Sequence, residues 1–251
     1  MIGRSSRSFD RIADRYDNRS GGTGRGVVLA ADIVPWLAPG TVLEVGVGTG
    51  VVSAALRSLG LTVFGADLSG GMLRHARQRL GPTLVQADAT ALPFGDGVVD
   101  NVVFATALHA IGDVYGAIAE AARVVRPGGR VVAVHGIPRR LPDDDDMTEA
   151  VAALWPLRDD RPDTAATLDG AAATADLRPA GVAWVASTGF EESPNEFATG
   201  IEERLWSYLW NVDDATWRTV VLPVVERLRA LPDPDRRRSY RLSPRLVAYQ
   251  A

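Results

Sequence analysis

Val42-Leu43-Glu44-Val45-Gly46-Val47-Gly48-Thr49-Gly50 is the stretch that decides the fold. A short apolar run ends in an acid and then in three glycines at alternate positions. Val51-Val52-Ser53-Ala54-Ala55-Leu56 follows and continues as a helix. The pattern is a strand, a glycine turn and a helix, in which the turn lets a ligand approach the backbone closely and the helix N-terminus offers unpaired N–H groups. Working outward, Leu61–Asp67, Leu84–Ala89, Val98–Ala105 and Val131–Val134 read as further strands, and 51–59, 71–80 and 113–125 as the helices between them. Alternation of this kind predicts an α/β fold, a doubly wound, mostly parallel seven-stranded sheet with helices on both faces.

The spacing G-x-G-x-G differs from the dinucleotide fingerprint G-x-G-x-x-G, because Val51 stands where the third glycine would fall. Glu44 is also a poor neighbour for a pyrophosphate, since like charges repel. It suits a cofactor that carries a positive charge and no phosphate, as S-adenosyl-L-methionine (SAM) does with its α-amino group. Asp67 lies 23 residues after Glu44 at the end of the second strand, close to the offset at which a carboxylate grips a ribose diol. The plainer alternative for Asp67 is a turn residue. Ser69 is placed to cap the helix that begins at Gly70-Gly71. Asp88 ends the third strand, where an acceptor-only carboxylate suits the exocyclic amine of an adenine. A turn carboxylate is again the alternative. Asp100, at the start of the fourth strand, reads equally well as structural.

On these residues the chain resembles a class I SAM-dependent methyltransferase, of the small-molecule branch that includes the ubiquinone and menaquinone C-methyltransferases. The resemblance is carried by Glu44–Gly50, Asp67-Leu68-Ser69 with Met72-Leu73, Gln86-Ala87-Asp88-Ala89, Leu92-Pro93-Phe94 with Asp100, and Arg126-Pro127-Gly128-Gly129, and it spans about residues 40–137. It implies that Gly46, Gly48, Gly50 and Glu44 hold the methionine end of SAM. It further implies that Asp67 holds the ribose, Leu68 packs on the adenine, Asp88 accepts its amine and the Ala89 N–H points at the ring.

Composition sets outer limits. The 251 residues carry a net charge of −4 with 46% hydrophobic residues, no cysteine, and 27 basic residues that are all arginine. A sizeable core is expected, disulfide and thiolate chemistry are excluded, and an acidic total with scattered arginines argues against nucleic acid as a partner. Arg236-Arg237-Arg238 reads as a solvated turn. No apolar run approaches a membrane span, and the charged N-terminus lacks a signal-peptide core, so a cytoplasmic compartment is the expectation. No metal site is expected: Asp143–Asp146 points its acids in different directions without histidine or glycine support and reads as a loop leading into a helix N-terminus.

Organisation follows as one methyltransferase domain. Residues 27–137 form the SAM-binding core, 1–26 and 138–238 the cap and substrate elements, and 239–251 the closing strand or hairpin. Phe9, Ile12, Ala13 and Tyr16 fall at helical spacing, and Arg19–Gly24 reads as a flexible link. By the resemblance, Tyr16 reaches the methionine carboxylate or the substrate; the alternative is a short surface helix. Met147–Leu157, 194–212 and 214–230 read as helices and Val182–Ser187 as a sixth strand. Five of the six tryptophans lie after residue 150. Trp155, Trp206 and Trp210 are candidates for a hydrophobic or aromatic substrate pocket, with ordinary core packing as the alternative for any one of them.

The expected chemistry is in-line displacement onto a small, hydrophobic or aromatic molecule, where positioning and exclusion of water do most of the work. A base is needed only if the acceptor must lose a proton. His109 and His135 follow the fourth and fifth strands, at the carboxyl edge where ligands bind such sheets, and are the candidate catalytic residues, with His109 first. His75, beside Arg74 and Arg77 in a helix, reads as solvent-facing. Two other readings stand beside this one: a SAM-binding protein that does not methylate, and an NAD-dependent oxidoreductase, which the glycine spacing and Glu44 disfavour. Nothing in the sequence names the acceptor atom or the oligomeric state.

Overall fold

The structure is a computed structural model that describes residues 5–19, 21–141, 146–159, 161–186 and 188–251. In chain order it runs α1 (Ser5–Arg19), α2 (Gly22–Ile33), β1 (Thr41–Val45), α3 (Val51–Ser58), β2 (Thr62–Asp67), α4 (Gly70–Leu80), β3 (Leu84–Gln86), β4 (Val99–Ala105), α5 (Val114–Val124), β5 (Val125–Leu141), α6 (Asp146–Ala150), α7 (Pro156–Asp159), α8 (Ala165–Thr174), β6 (Arg178–Trp184), β7 (Thr188–Glu192), α9 (Pro194–Glu202), α10 (Asp214–Thr216), α11 (Leu222–Arg229) and β8 (Arg238–Gln250). The chain divides into two compact units. One takes the residues up to Pro138 with Pro162–Thr188 and Pro244–Ala251, the other Arg139–Arg161 and Gly189–Ser243. The segment 138–238, read from sequence as cap, is therefore split: α8 and β6 belong to the first unit.

In the first unit the strands lie in the order β3-β2-β1-β4-β5-β8-β6. The pairs β1–β2, β1–β4, β2–β3 and β4–β5 are parallel, and β6–β8 is antiparallel. This is the mixed α/β architecture expected, with one strand more than the seven anticipated, since β7 also pairs with β8. The strand direction of reading reverses between β1 and β4, which is where open α/β sheets bind ligands. Period-two alternation sorts the side chains. Leu43, Val102, Phe104 and Val131 pack on one face with Ile118 of α5 and Leu168 of α8. Val42, Val103 and Val132 pack on the other with Leu29 and Ile33 of α2 and Leu56 of α3. Glu44 shares parity with Val42, so it faces α2 and α3.

Several elements differ from the sequence reading. The Arg19–Gly24 link is mostly helix: α2 starts at Gly22, because Gly26 serves close packing rather than flexibility (a Cβ there would lie 2.4 Å from the Val51 carbonyl oxygen). Of the closing strand or hairpin expected over 239–251, the strand is found: β8 runs unbroken from Arg238 to Gln250.

In the second unit, the helix expected over 194–212 ends at Glu202, and Arg204 turns the chain with φ 51°. Its guanidinium lies 4.0 Å from the Trp217 ring centroid. The helix expected over 147–157 is broken into α6, a 3-10 turn at Ala152–Leu154, and α7. Arg238 is buried rather than solvated. Its Nε and Nη2 donate to the two carboxylate oxygens of Asp146, each at 2.8 Å, and Nη2 also reaches the Pro232 carbonyl. Asp143–Asp145 lie outside the described residues. Met147, Leu154, Ile201, Leu209 and Val224 form this unit's apolar centre.

Candidate active site

A cavity of about 580 Å³ opens at the carboxyl ends of β1, β2 and β4 within the first unit. The glycine turn forms its floor. Gly46 takes φ 74° and Gly48 φ 56°, conformations that cost an L-residue about 1–2 kcal/mol. At Gly46 a Cβ would also strike the Ala107 Cβ at 2.4 Å, whereas at Gly48 it would meet nothing within 4 Å. The first glycine is thus required by the fold and the second leaves an open cradle. Gly48 donates its N–H to Asp67 Oδ2 (2.7 Å), while Ser69 N donates to Asp67 Oδ1 (2.8 Å). The carboxylate that ends β2 therefore ties the two turns together, and burial raises its pKa. Ser69 caps α4 as expected, accepting from Met72 N at 3.1 Å.

Glu44 is 2% exposed and accepts a hydrogen bond from the Ser53 hydroxyl on α3. Burial pushes its carboxyl up to about 8, opposed by that bond and by the charge of Arg25. Arg25, on α2, lines the same cavity. Its guanidinium reaches Thr106 Oγ1 at 3.4 Å and stands 5.8 Å from the Tyr16 ring centroid, and its Nε is buried with no acceptor among the described residues. Thr106 itself follows β4 with φ 58°, a rare conformation for a non-glycine residue, of the kind that clusters at functional sites. Asp88 receives both the Thr90 N–H (2.9 Å) and the Thr90 hydroxyl (2.8 Å) on Oδ1, which leaves its second oxygen able to accept.

The cavity brings together most of the predicted residues: Tyr16, Glu44, Gly46 and Gly48, then Asp67, Leu68, Asp88, Ala89 and His109. Gly50 caps α3 from the turn with φ 81°. His109 sits on the 3-10 turn Leu108–Ala110 just after β4. His135 is held elsewhere: it is 3% exposed, its Nδ1 lies 3.0 Å from the Asp163 carbonyl oxygen, and it does not line the cavity. The candidate tryptophans Trp155, Trp206 and Trp210 belong to the second unit and do not line the cavity either. Trp206 stacks on Phe197 with ring centroids 4.5 Å apart, Trp210 Nε1 donates to the Arg204 carbonyl (2.8 Å), and Trp155 is 45% exposed. Asp100 is structural. Thr41 N (2.7 Å), the Thr41 hydroxyl (2.9 Å) and Arg126 (2.8 Å) all donate to it and hold it down at about 2. Among residues the sequence reading missed, Arg25 and Thr106 stand out. Arg25 is embedded in Gly21–Gly26 and was hidden by a glycine content that reads as linker.

The cavity thus presents three carboxyl groups able to accept from cationic, hydroxyl and amine donors, and one guanidinium able to donate to a carboxylate. Among the described residues no group of three or more His, Asp or Glu side chains could hold a metal ion, and no helix is long and apolar enough to cross a membrane.

Residues 43–133 match the family described as methyltransferase domain. Similar curated proteins include demethylmenaquinone methyltransferases of Renibacterium salmoninarum (37% identical over 130 residues, 49% of this chain and 55% of the relative) and Mycolicibacterium gilvum (40% over 129 residues, 49% and 56%). The chain thus spans about half the length of the curated relatives it matches. Among solved structures, a putative methyltransferase of Bacillus halodurans superposes with TM-score 0.57 at 17% identity, covering 88% of this chain and 97% of that one. The geranyl diphosphate C-methyltransferase of Streptomyces coelicolor, in complex with Mg²⁺, geranyl diphosphate and S-adenosyl-L-homocysteine, superposes with TM-score 0.52 at 18% identity, covering 88% and 77%. At such identities these structures establish the shared fold.

Proposed function

We propose that this chain, which matches the methyltransferase domain family over residues 43–133, transfers a methyl group from SAM to a small hydrophobic or aromatic acceptor. The observation that carries the reading is the convergence of Glu44, Asp67, Asp88 and Arg25 on one cavity. In this reading Glu44 takes the ammonium of the methionine end and Arg25 its carboxylate. Asp67 takes the ribose diol, Asp88 the adenine amine, the Ala89 N–H the ring, and Leu68 packs on the adenine face.

When bound, SAM supplies a methyl made electrophilic by its sulfonium. The residues of this chain would hold the acceptor's nucleophilic atom toward that methyl and keep water out. Phe9, Tyr16 and Ile111 provide apolar wall. Among the described residues His109 is the one histidine on the cavity; it orients the acceptor and receives the proton of an acidic C–H or O–H acceptor. The relatives named for demethylmenaquinone support a quinol-type acceptor with an apolar substituent as the first to try.

Calorimetric titration with SAM tests the cofactor assignment, with Asp67→Ala as control. Micromolar binding that falls at least tenfold in the variant is expected, and equal binding by both would remove Asp67 from the site. A screen of demethylated quinols with methyl-labelled SAM then tests the acceptor. Labelled product is the expected outcome, and its absence from every acidic C–H or O–H acceptor tried would favour a non-methylating SAM binder.

A further inference from the structure

The N-terminal helix carries aspartates at 10, 14 and 17, spaced to share one side of α1, with Phe9, Ala13 and Tyr16 on the adjoining stripe. Each end of the aspartate row grips a turn of the cofactor cavity. At one end, Asp10 Oδ1 accepts from the Ser69 hydroxyl (2.6 Å) and from Gly71 N (2.7 Å), behind Asp67. At the other, Asp17 accepts from the Thr49 hydroxyl in the glycine turn and from Arg79 Nη2 (2.6 Å). The same guanidinium donates through Nη1 to the Thr49 carbonyl at 2.8 Å. Between them Asp14 pairs with His75 at 2.8 Å, so His75 has a partner rather than facing solvent alone.

A second observation is independent of these charges. Gly71 occupies the first turn of α4, where alanine is the better helix former. Yet a Cβ there would lie 2.8 Å from Asp10 Oδ1, 3.1 Å from the Asp10 Cα and 3.4 Å from the Ala13 Cβ. The glycine is the seat on which α1 rests. From inside the cavity Asp67 links the two turns; from outside, α1 does.

We propose that Asp10 and Asp17 are positioning residues for the cofactor: α1 is an outer clamp that holds the 46–50 turn and the 67–71 turn at the separation at which both meet one SAM molecule, and Gly71 is its seat. The proposal rests on the reading above that this cavity takes SAM. It assigns to α1 more than a cover, because the aspartates touch the turns and not the ligand.

The test compares wild type, the double variant Asp10→Ala with Asp17→Ala, and Gly71→Ala. Each substitution favours helix, so α1 and α4 persist while the clamp is lost. SAM affinity is measured by calorimetry, and hydrogen exchange is followed on the ligand-free protein. Both variants are expected to bind SAM at least tenfold more weakly and to exchange faster in peptides covering 46–50 and 67–71, with β4 and β5 exchanging as in wild type. Affinity within twofold of wild type, unchanged exchange in both turns, or faster exchange spread evenly through β4 and β5 would each overturn the proposal. Wild type that takes no SAM would overturn the cofactor reading and this proposal with it; wild type that binds while the variants bind equally would overturn the clamp alone.

Discussion

Glu44 shows how one residue can be legible in kind and not in state. Its place before the glycines marks it as a cofactor acid, but only the packed structure shows that burial pushes its carboxyl up to about 8. The native state then holds a proton that the unfolded chain, titrating near the ordinary carboxylate value, has already lost. Stability of the ligand-free protein is expected to fall as pH rises from about 4.5 to about 8 and to level off above that, with a slope from Glu44 of at most about 1.4 kcal/mol per pH unit. Denaturant titrations across this range check it, and Glu44→Gln should remove Glu44's share of the fall, leaving that of Asp67, whose carboxyl burial also raises. Because an ammonium is met best by the ionised acid, SAM uptake near pH 7 should release close to one proton from wild type and none from the variant. Calorimetry in two buffers of different ionisation heat reads this directly, and identical heats after buffer correction would dismiss the assignment. Arg25 teaches the opposite lesson: nothing in the sequence singled it out, and its role became visible only when α2 brought it to the cavity that Glu44 also lines.

At the scale of elements, the glycine turn divides its labour between fold and ligand. Gly46→Ala drives a methyl into Ala107 as well as straining φ, and a loss of about 2 kcal/mol or more in stability is expected. Gly48→Ala meets open space, so it should cost only about 1 kcal/mol of backbone strain; its methyl would fall in the cradle, and SAM affinity should drop by about tenfold. Thermal melts and SAM titrations on the pair separate the two roles. Equal melting temperatures would show that the turn relaxes and that the Gly46–Ala107 approach is not a constraint. The strand–turn–helix units were readable because the first three apolar runs end in acids, Glu44, Asp67 and Asp88, and because α4 and α5 begin at side-chain caps, Ser69 and Asp113, the latter accepting from Gly116 N at 2.8 Å. Elements after residue 140 were less readable. Arg204 adopts a left-handed turn that no residue type announces, and α6 and α7 are too short for periodicity to show.

For the molecule as a whole, the two compact units hold themselves together by different means. The first is organised by a sheet with an apolar layer on each face. The second gathers short helices around an apolar centre, where Arg238 at 7% exposure holds Asp146 and three backbone carbonyls. Replacing it by methionine leaves those acceptors short of donors, and a loss of about 2 kcal/mol is expected. Cofactor affinity should stay within twofold, since every residue lining the cavity lies in the first unit. Denaturation followed by tryptophan fluorescence tests the first statement, and SAM calorimetry on the same variant tests the second.

The sequence by itself determined the α/β alternation, the glycine turn and the carboxylates at three strand ends, because these follow from period, spacing and residue chemistry within about thirty residues of one another. The tertiary structure alone decided which distant groups meet them. Arg25 joins Glu44 on the cavity because Gly26 lets α2 pack against α3; His109 faces the cavity because the chain turns after β4, whereas His135 lies within β5, which continues to Leu141, and is held against the Asp163 carbonyl; and the tryptophans of the second unit fill its own interior or surface. Such meetings depend on how helices seat against a sheet, where one missing Cβ admits a neighbour, and local pattern does not record that.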